Sequence, residues 1–338
     1  MNLIDITTSI TIIPTYRCTA ECSQCCFESN PRLRARIDVN KIKDAIDQAT
    51  ALFKNLSTVV FSGGEVFLLK EELFDSIYYA KSKGLFVRCI TNASWAMSTK
   101  KAEIIAKKLA SSRVDEINIS TGLDHQQFVT QETVINACVA LQKENIFTLV
   151  TIEADTEGSK CFDNFMSDTK VCELLVNNRA GFLVQKNTWM KFHDNYENRM
   201  QSVGLSRLRG GCDQVMRNIV ITPYHEVSVC CGLTFEHIPE MKIGCLDDSP
   251  MQEVVTNGFN DFVKIWLSVD GPATILESLF GDEANEEFGK MSHICEACSI
   301  LHKNPKCRKT LLEKYEEFVP SVMARFALRE NICQSLIT

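Results

Sequence analysis

Short apolar, β-branched runs recur through the first 190 residues, at 9–13, 58–61, 85–90, 116–120, 147–152 and 182–184. Between them lie polar segments whose apolar residues return at helical spacing, among them 39–53, 69–81, 100–110 and 132–143. Asn40 and Ser98 stand where helix N-caps belong, and Gly84 stands where a helix would end. Strands alternating with helices predict βαβ units around a parallel sheet. Six such units fall short of a closed eightfold barrel and predict an open or partial one, with chemistry on the loops at the C-terminal strand ends. The alternation breaks after about residue 185. The stretch 189–211 is polar, ends in Arg-Leu-Arg-Gly-Gly and reads as a connector. Beyond it come strand-like runs at 219–222 and 226–229, then helices and a second set of cysteines. The expected organisation is an α/β core over 1–205 and a smaller, cysteine-dependent α+β domain over 206–338.

Composition narrows this picture. With 338 residues and 45% hydrophobic content, the chain can bury a sizeable core. A net charge of −7 gives no broad basic footprint, so no nucleic-acid partner is expected. No apolar run approaches the roughly 20 residues that span a bilayer, so no membrane partner is expected either. The N-terminus MNLIDITTSITIIP lacks a basic segment and carries Asp5, unlike a secretory signal, which points to the cytoplasm. In that reducing setting 16 cysteines argue for metal or redox chemistry over disulfides. Some are simply small apolar residues. Cys138 lies on the helical stripe Val134, Ile135, Cys138, Leu141, and Cys89, Cys161, Cys172 and Cys333 have no partner at ligand spacing.

The stretch YRCTAECSQCCFESNP, after the first predicted strand, is of another kind. Cys18, Cys22 and Cys25 follow a Cys-x3-Cys-x2-Cys spacing on one loop, with Cys26 adjacent to the last. Structural zinc usually takes four ligands, and Cys26 is badly placed to be the fourth. Thiolates also hold iron–sulfur clusters, and three of them on a four-iron cluster leave one iron open.

This triplet resembles the cluster loop of the radical S-adenosylmethionine (SAM) superfamily. The resemblance implies a [4Fe-4S] cluster on Cys18, Cys22 and Cys25 whose open iron chelates the amino and carboxylate groups of SAM. One electron from the cluster then cleaves SAM to methionine and a 5′-deoxyadenosyl radical, which takes a hydrogen atom from the substrate. A flavodoxin- or ferredoxin-type reductant is implied as the partner. Gly63-Gly64-Glu65 after the second strand matches the motif that binds the SAM amino group, where glycines let the backbone approach and a carboxylate pairs with an ammonium. Asn92 ends the third strand. Ser120 ends the fourth and resembles the hydroxyl that contacts the SAM carboxylate or ribose. Asp124 and His125 resemble the family's Asp and His in that loop, with altered spacing. For Asn92, Ser120 and Asp124 the alternative is ordinary turn and capping duty. Relatives usually carry an aromatic residue near adenine between the second and third cysteines. Here it is Gln24, with Phe27 as the candidate substitute. The resemblance spans roughly residues 9–186 and implies a partial (β/α)6 barrel.

In the C-terminal part Cys212, Cys230 and the pair Cys295-x2-Cys298 suffice for one four-ligand centre, for which zinc is one reading. The layout resembles the twitch domain, the shortened form of the SPASM domain, and so implies one auxiliary [4Fe-4S] cluster, a second being the lesser alternative. Cys231, next to Cys230, is spare, as are Cys245 and Cys307. Radical SAM epimerases of this architecture use a thiol to return a hydrogen atom to the substrate radical, and Cys231 is the candidate donor. The resemblance implies modification of a ribosomally made peptide, by epimerising an L-residue to D or by crosslinking. The alternative is a small-molecule epimerase or dehydrogenase acting on an aminocyclitol or sugar. A binding module that has lost catalysis is disfavoured because all three loop cysteines are present.

Overall fold

The computed structural model describes residues 3–154, 159–178, 180–188, 190, 192, 203–230, 232–233 and 236–335. Its strands are β1 Ser9–Ile12, β2 Thr58–Phe61, β3 Phe86–Thr91, β4 Glu116–Thr121, β5 Phe147–Ala154, β6 Phe182–Thr188, β7 Asn218–Ile221, β8 Glu226–Ser228 and β9 Lys242–Cys245. They form one sheet in the order β6-β5-β4-β3-β2-β1-β7-β8-β9. The first six run parallel and meet their neighbours in sequence order. Helices make the crossovers: α1 Val39–Leu52, α2 Glu71–Ser82, α3 Thr99–Ser112, α4 Gln131–Lys143, and the pair α5 Cys161–Met166 and α6 Thr169–Asn177. This is the expected α/β partial barrel.

Side-chain alternation along the strands separates the two faces of the sheet. Ile10, Ile12, Val59, Phe61, Val87, Cys89, Ile117, Ile119, Val150 and Ile152 are fully buried in the core. Each such side chain contributes on the order of 2 kcal/mol of hydrophobic stabilisation. The other face is the lumen and is polar. Near its N-terminal end Arg88 Nε lies 2.8 Å from Glu116 Oε1, pairing residues that face each other in register on β3 and β4. Toward the C-terminal strand ends the same face carries Asn118, Ser120, Thr151, Gln185 and Asn187.

Helix ends follow local chemistry. Asp38, not Asn40, caps α1: its extended backbone lets its carboxylate accept from Asn40 N, which places Asn40 inside the first turn. Ser98 caps α3 by accepting from Lys101 N. A 3-10 turn over Val66–Leu69 delays α2 to Glu71, and Gly84 at φ +81° ends the excursion after it.

The C-terminal part does not build a separate sheet. β7 pairs parallel with β1, and β8 and β9 continue as antiparallel strands. Helices follow: α7 Met251–Phe259, α8 Phe262–Val269, α9 Gly271–Phe280, α10 Glu283–Phe288, α11 Ile294–Lys303 and α12 Pro305–Ser335. Among the described residues no helix is long and apolar enough to cross a membrane.

Candidate functional site

β1 feeds the cysteine loop directly, as the apolar run before Pro14 requires. A backbone bond from Cys18 N to Asn30 O at 3.2 Å joins the two arms of the loop, and one from Cys25 N to Cys22 O at 3.2 Å makes a turn within it. Cys18, Cys22 and Cys25 line a cavity of about 320 Å³ at the C-terminal ends of the strands. Burial pushes the Cys18 thiol up to about 12, and a smaller contribution comes from Cys25. Burial pushes Cys22 higher still, with Cys25 and Cys18 adding to it. Cys18 and Cys22 therefore share one electrostatic neighbourhood with the Cys25 sulfur, and both resist ionisation unless a cation is bound there.

The loop after β2 lies flush against this one. Gly63 has φ +126°, and a Cβ there would meet Ile13 Cγ2 at 2.5 Å. A Cβ on Gly64 would fall 2.1 Å from Arg17 O. Both glycines line the cavity. Glu65, expected to meet the SAM amino group, is not among the lining residues. It is 1% exposed and accepts from Thr91 Oγ1 at 2.9 Å, Asn92 N at 3.0 Å and Phe67 N at 3.1 Å. Burial raises its pKa to about 6, against the pull of these donors. Glu65 thus ties the loops after β2 and β3 together and leaves the lining to the glycine backbone.

Asn92 and Ser120 both line the cavity. Asn92 Nδ2 donates to Thr19 Oγ1 at 3.1 Å and approaches Cys18 Sγ at 3.6 Å, so it braces the cysteine loop. Asp124 is buried and is not among the lining residues; its carboxylate accepts from Ser23 Oγ at 3.2 Å. It anchors the cysteine loop, and its neighbour His125 takes the place in the wall. His125 is oriented by Glu153 on β5, whose Oε1 lies 3.4 Å from Nδ1 and accepts from Asp124 N at 2.7 Å. Gly122 makes room for that carboxylate, since a Cβ there would lie 2.0 Å from Glu153 Cγ.

Phe27 lines the cavity and Gln24 does not. Gln24 is 1% exposed, and its Oε1 accepts from Phe192 N at 2.6 Å. Tyr16 donates to Glu236, which also pairs with Lys242, so the cysteine loop is tied to the segment after β8. Sequence reasoning missed Asn118, Thr151, Gln185, Asn187 and Glu153. The available signal was polar residues at every second position inside otherwise apolar strands.

Cys212, Cys230, Cys295 and Cys298 come together from three separate segments. Burial raises the thiols of Cys212, Cys295 and Cys298, and Cys230 adds to the effect at each of them. Cys295 and Cys298 open α11, where the N-cap His293 accepts from Cys295 N at 3.1 Å. Among the described residues no three His, Cys, Asp or Glu converge tightly enough for a single metal ion. Cys26 adds an unforeseen link. It lines the cavity, and its thiol is raised first by burial, then by Cys25, Cys295 and Cys230. Cys26 therefore stands between the two sets. Cys231 lies outside the described residues. Cys245 donates to Tyr224 O at 3.6 Å, and Cys307 is buried, its thiol pushed up to about 11.

Comparison with known proteins gives three findings. The sequence model of the Radical SAM superfamily matches residues 12–122. A protein of Bacillus subtilis (strain 168), "Putative peptide biosynthesis protein YydG", is 30% identical over 120 residues. That stretch is 36% of this chain and 37% of the relative, so the match spans little more than a third of the relative's length. Among solved structures, "Native anSMEcpe with bound AdoMet" superposes with a TM-score of 0.56 at 13% identity, over 95% of this chain and 99% of that one. The same values hold for "Native anSMEcpe with bound AdoMet and Cp18Cys peptide". At this identity the likeness is one of fold.

Proposed function

We propose that this chain, whose residues 12–122 are a radical SAM domain, is an enzyme that uses SAM to take a hydrogen atom from a residue of a ribosomally made peptide. The observation that carries the reading is that Cys18, Cys22 and Cys25 line one cavity together with Gly63 and Gly64. The family implies a [4Fe-4S] cluster and SAM, and the residues fit them. Three thiols line the space with a glycine backbone beside them, Asn92 stands next to Cys18, and Ser120 and His125 supply further polar groups in the lining. When bound, the cluster and SAM supply the one-electron cleavage that yields a 5′-deoxyadenosyl radical. The chain's own residues do the rest. Phe27 offers an apolar face, Glu65 and Asn92 fix the loops, and Glu153 sets the imidazole of His125. The walled cavity keeps bulk water from a reactive intermediate.

Peptide as substrate is supported by the name of the Bacillus subtilis relative and by the peptide bound in the anSMEcpe structure. An auxiliary [4Fe-4S] cluster on Cys212, Cys230, Cys295 and Cys298 belongs to the same proposal, as do the division at residues 205/206, a flavodoxin- or ferredoxin-type electron donor and a cytoplasmic setting. Epimerisation with Cys231 as hydrogen donor is the favoured outcome, because a thiol adjacent to a cluster ligand is spare.

The test is to incubate reconstituted enzyme, SAM and reductant in D2O with the synthetic peptide encoded beside the gene. Epimerisation through an exchangeable thiol gives a gain of about one dalton and a D-residue, and Cys231→Ala abolishes both while 5′-deoxyadenosine still forms. A loss of about two daltons in wild type means crosslinking or dehydrogenation instead. Turnover of an aminocyclitol with the peptide untouched overturns the peptide reading.

A further inference from the structure

The lumen holds a hydrogen-bonded relay that crosses three adjacent strands. Gln185 Nε2 on β6 donates to Thr151 Oγ1 on β5 at 3.3 Å, and Thr151 Oγ1 donates to Asn118 Oδ1 on β4 at 3.1 Å. All three residues line the cavity. Thr151 faces Gln185 directly in register, while Asn118 sits two residues before Ser120, the register partner of Thr151.

The relay has a direction. A hydroxyl has one hydrogen to give; with Asn118 Oδ1 and Gln185 Nε2 turned toward it, Thr151 gives that hydrogen to Asn118 and accepts from Gln185. Among the described residues the two outer groups, Asn118 Nδ2 and Gln185 Oε1, have no partner. One end of the relay offers a donor and the other an acceptor. A backbone presents the complement, a C=O and an N–H. The lining residues also include no Asp, Glu, Lys or Arg among those described. A charged terminus or ammonium placed there would lose its hydration without gaining a counter-ion from these residues, whereas a neutral interior peptide unit loses little.

We propose that the Asn118–Thr151–Gln185 relay reads the substrate's backbone. The Asn118 amide donates to a carbonyl, and the Gln185 amide oxygen accepts the N–H of the residue to be modified. This rests on the peptide reading above and goes beyond it by naming the group recognised and restricting modification to interior positions. Thr151 is a positioning residue. It touches no substrate but fixes which way both amides face.

The experiment uses the reconstituted holoenzyme with SAM and reductant. The probe is the synthetic peptide encoded beside the gene, made also with the N–H of the modified residue replaced by an ester oxygen. Iron content is matched for every variant before kinetics. Gln185→Leu is expected to raise KM for the peptide about tenfold with kcat within about twofold, as the loss of one hydrogen bond does. The ester is expected to raise KM similarly in wild type but to add nothing in Gln185→Leu, because both remove the same bond. Thr151→Val is expected to raise KM for the amide form by a comparable factor, and Thr151→Ser to restore it. Effects of Gln185→Leu and the ester that multiply would overturn the assignment, and so would an unchanged peptide KM in Gln185→Leu. A raised KM for SAM with the peptide's KM unchanged would also overturn it and give the relay to the adenine edge. If no form of the peptide is turned over while an aminocyclitol is, the peptide reading itself fails. An unchanged KM in a working peptide assay defeats only the relay.

Discussion

The two cysteine sets differ in how the chain delivers them. Cys18, Cys22 and Cys25 come from one loop, are spaced by turns of that loop, and open on a cavity walled by glycine backbone. Cys212, Cys230, Cys295 and Cys298 come from three segments and face one another, and none of them lines the described cavity. A single loop gives three sulfurs on one side of a space and leaves the other side for a ligand. Distant segments bring their thiols into one electrostatic neighbourhood, so anything bound there would link α11 to those segments. The first arrangement suits exchange chemistry, the second suits a closed centre that also restrains the unfolded chain. The Cys26 thiol is raised by members of both sets, by Cys25 and then by Cys295 and Cys230.

The sharpest way to break this comparison is to remove one thiol of the open set. Cys22→Ala is expected to lower 5′-deoxyadenosine formation to background, by roughly 10³-fold or more, since the cofactor carries the bond-breaking step. Chromatographic assay of 5′-deoxyadenosine checks it, and retention of even a tenth of the activity would contradict the role given to the loop. The next effect is steric. Gly64→Ala places a Cβ against Arg17 O and is expected to cost about 3 kcal/mol, read as a fall in thermal midpoint of the reconstituted protein. A neutral result would mean that the two loops do not meet as described.

A smaller effect concerns pH. The folded pKa of Glu65, about 6, lies above its ordinary carboxylate value of 4.5. A raised pKa means that the folded state holds the proton more tightly. The contribution is therefore complete below about 4.5 and is lost as pH rises through about 6, a change on the order of 2 kcal/mol. Urea midpoints between pH 5 and 7 are expected to decline for wild type and to stay flatter for Glu65→Gln. Equal slopes would show that Glu65 does not titrate in this range. The smallest expected effect is that of Cys26→Ala, which leaves iron content at the wild-type level because neither set needs it. A loss of about four irons would make it a ligand.

Much of this was legible in the sequence because it is local. Alternating strand and helix periods gave six parallel strands in order, and the Cys-x3-Cys-x2-Cys spacing marked the loop whose thiols line the cavity. Ser98 as a cap and Gly84 as a helix end were likewise set by their neighbours. What escaped was non-local. The bonds of Glu65 depend on Thr91 and Asn92, which stand at another strand end. Asp124 yields the wall to His125 because Glu153, from β5, draws the loop's N–H groups and the imidazole to itself. Gln24 breaks the aromatic pattern because a later segment lends it a backbone N–H, and Phe27 takes the face toward the cavity. The place of Cys26 depends on residues some 200 and 270 positions away, which no spacing rule reaches.

The most direct test of the contrast between the two sets is iron content after anaerobic reconstitution. It should be measured for wild type, for the Cys18/Cys22/Cys25→Ala variant and for the Cys212/Cys230/Cys295/Cys298→Ala variant, with the low-temperature electron paramagnetic resonance signal recorded before and after adding SAM. The account predicts about eight irons in wild type and about four in each variant, with SAM altering the signal only where Cys18, Cys22 and Cys25 remain. About four irons in wild type and none after loss of the loop cysteines would contradict it, leaving the C-terminal quartet without a cluster.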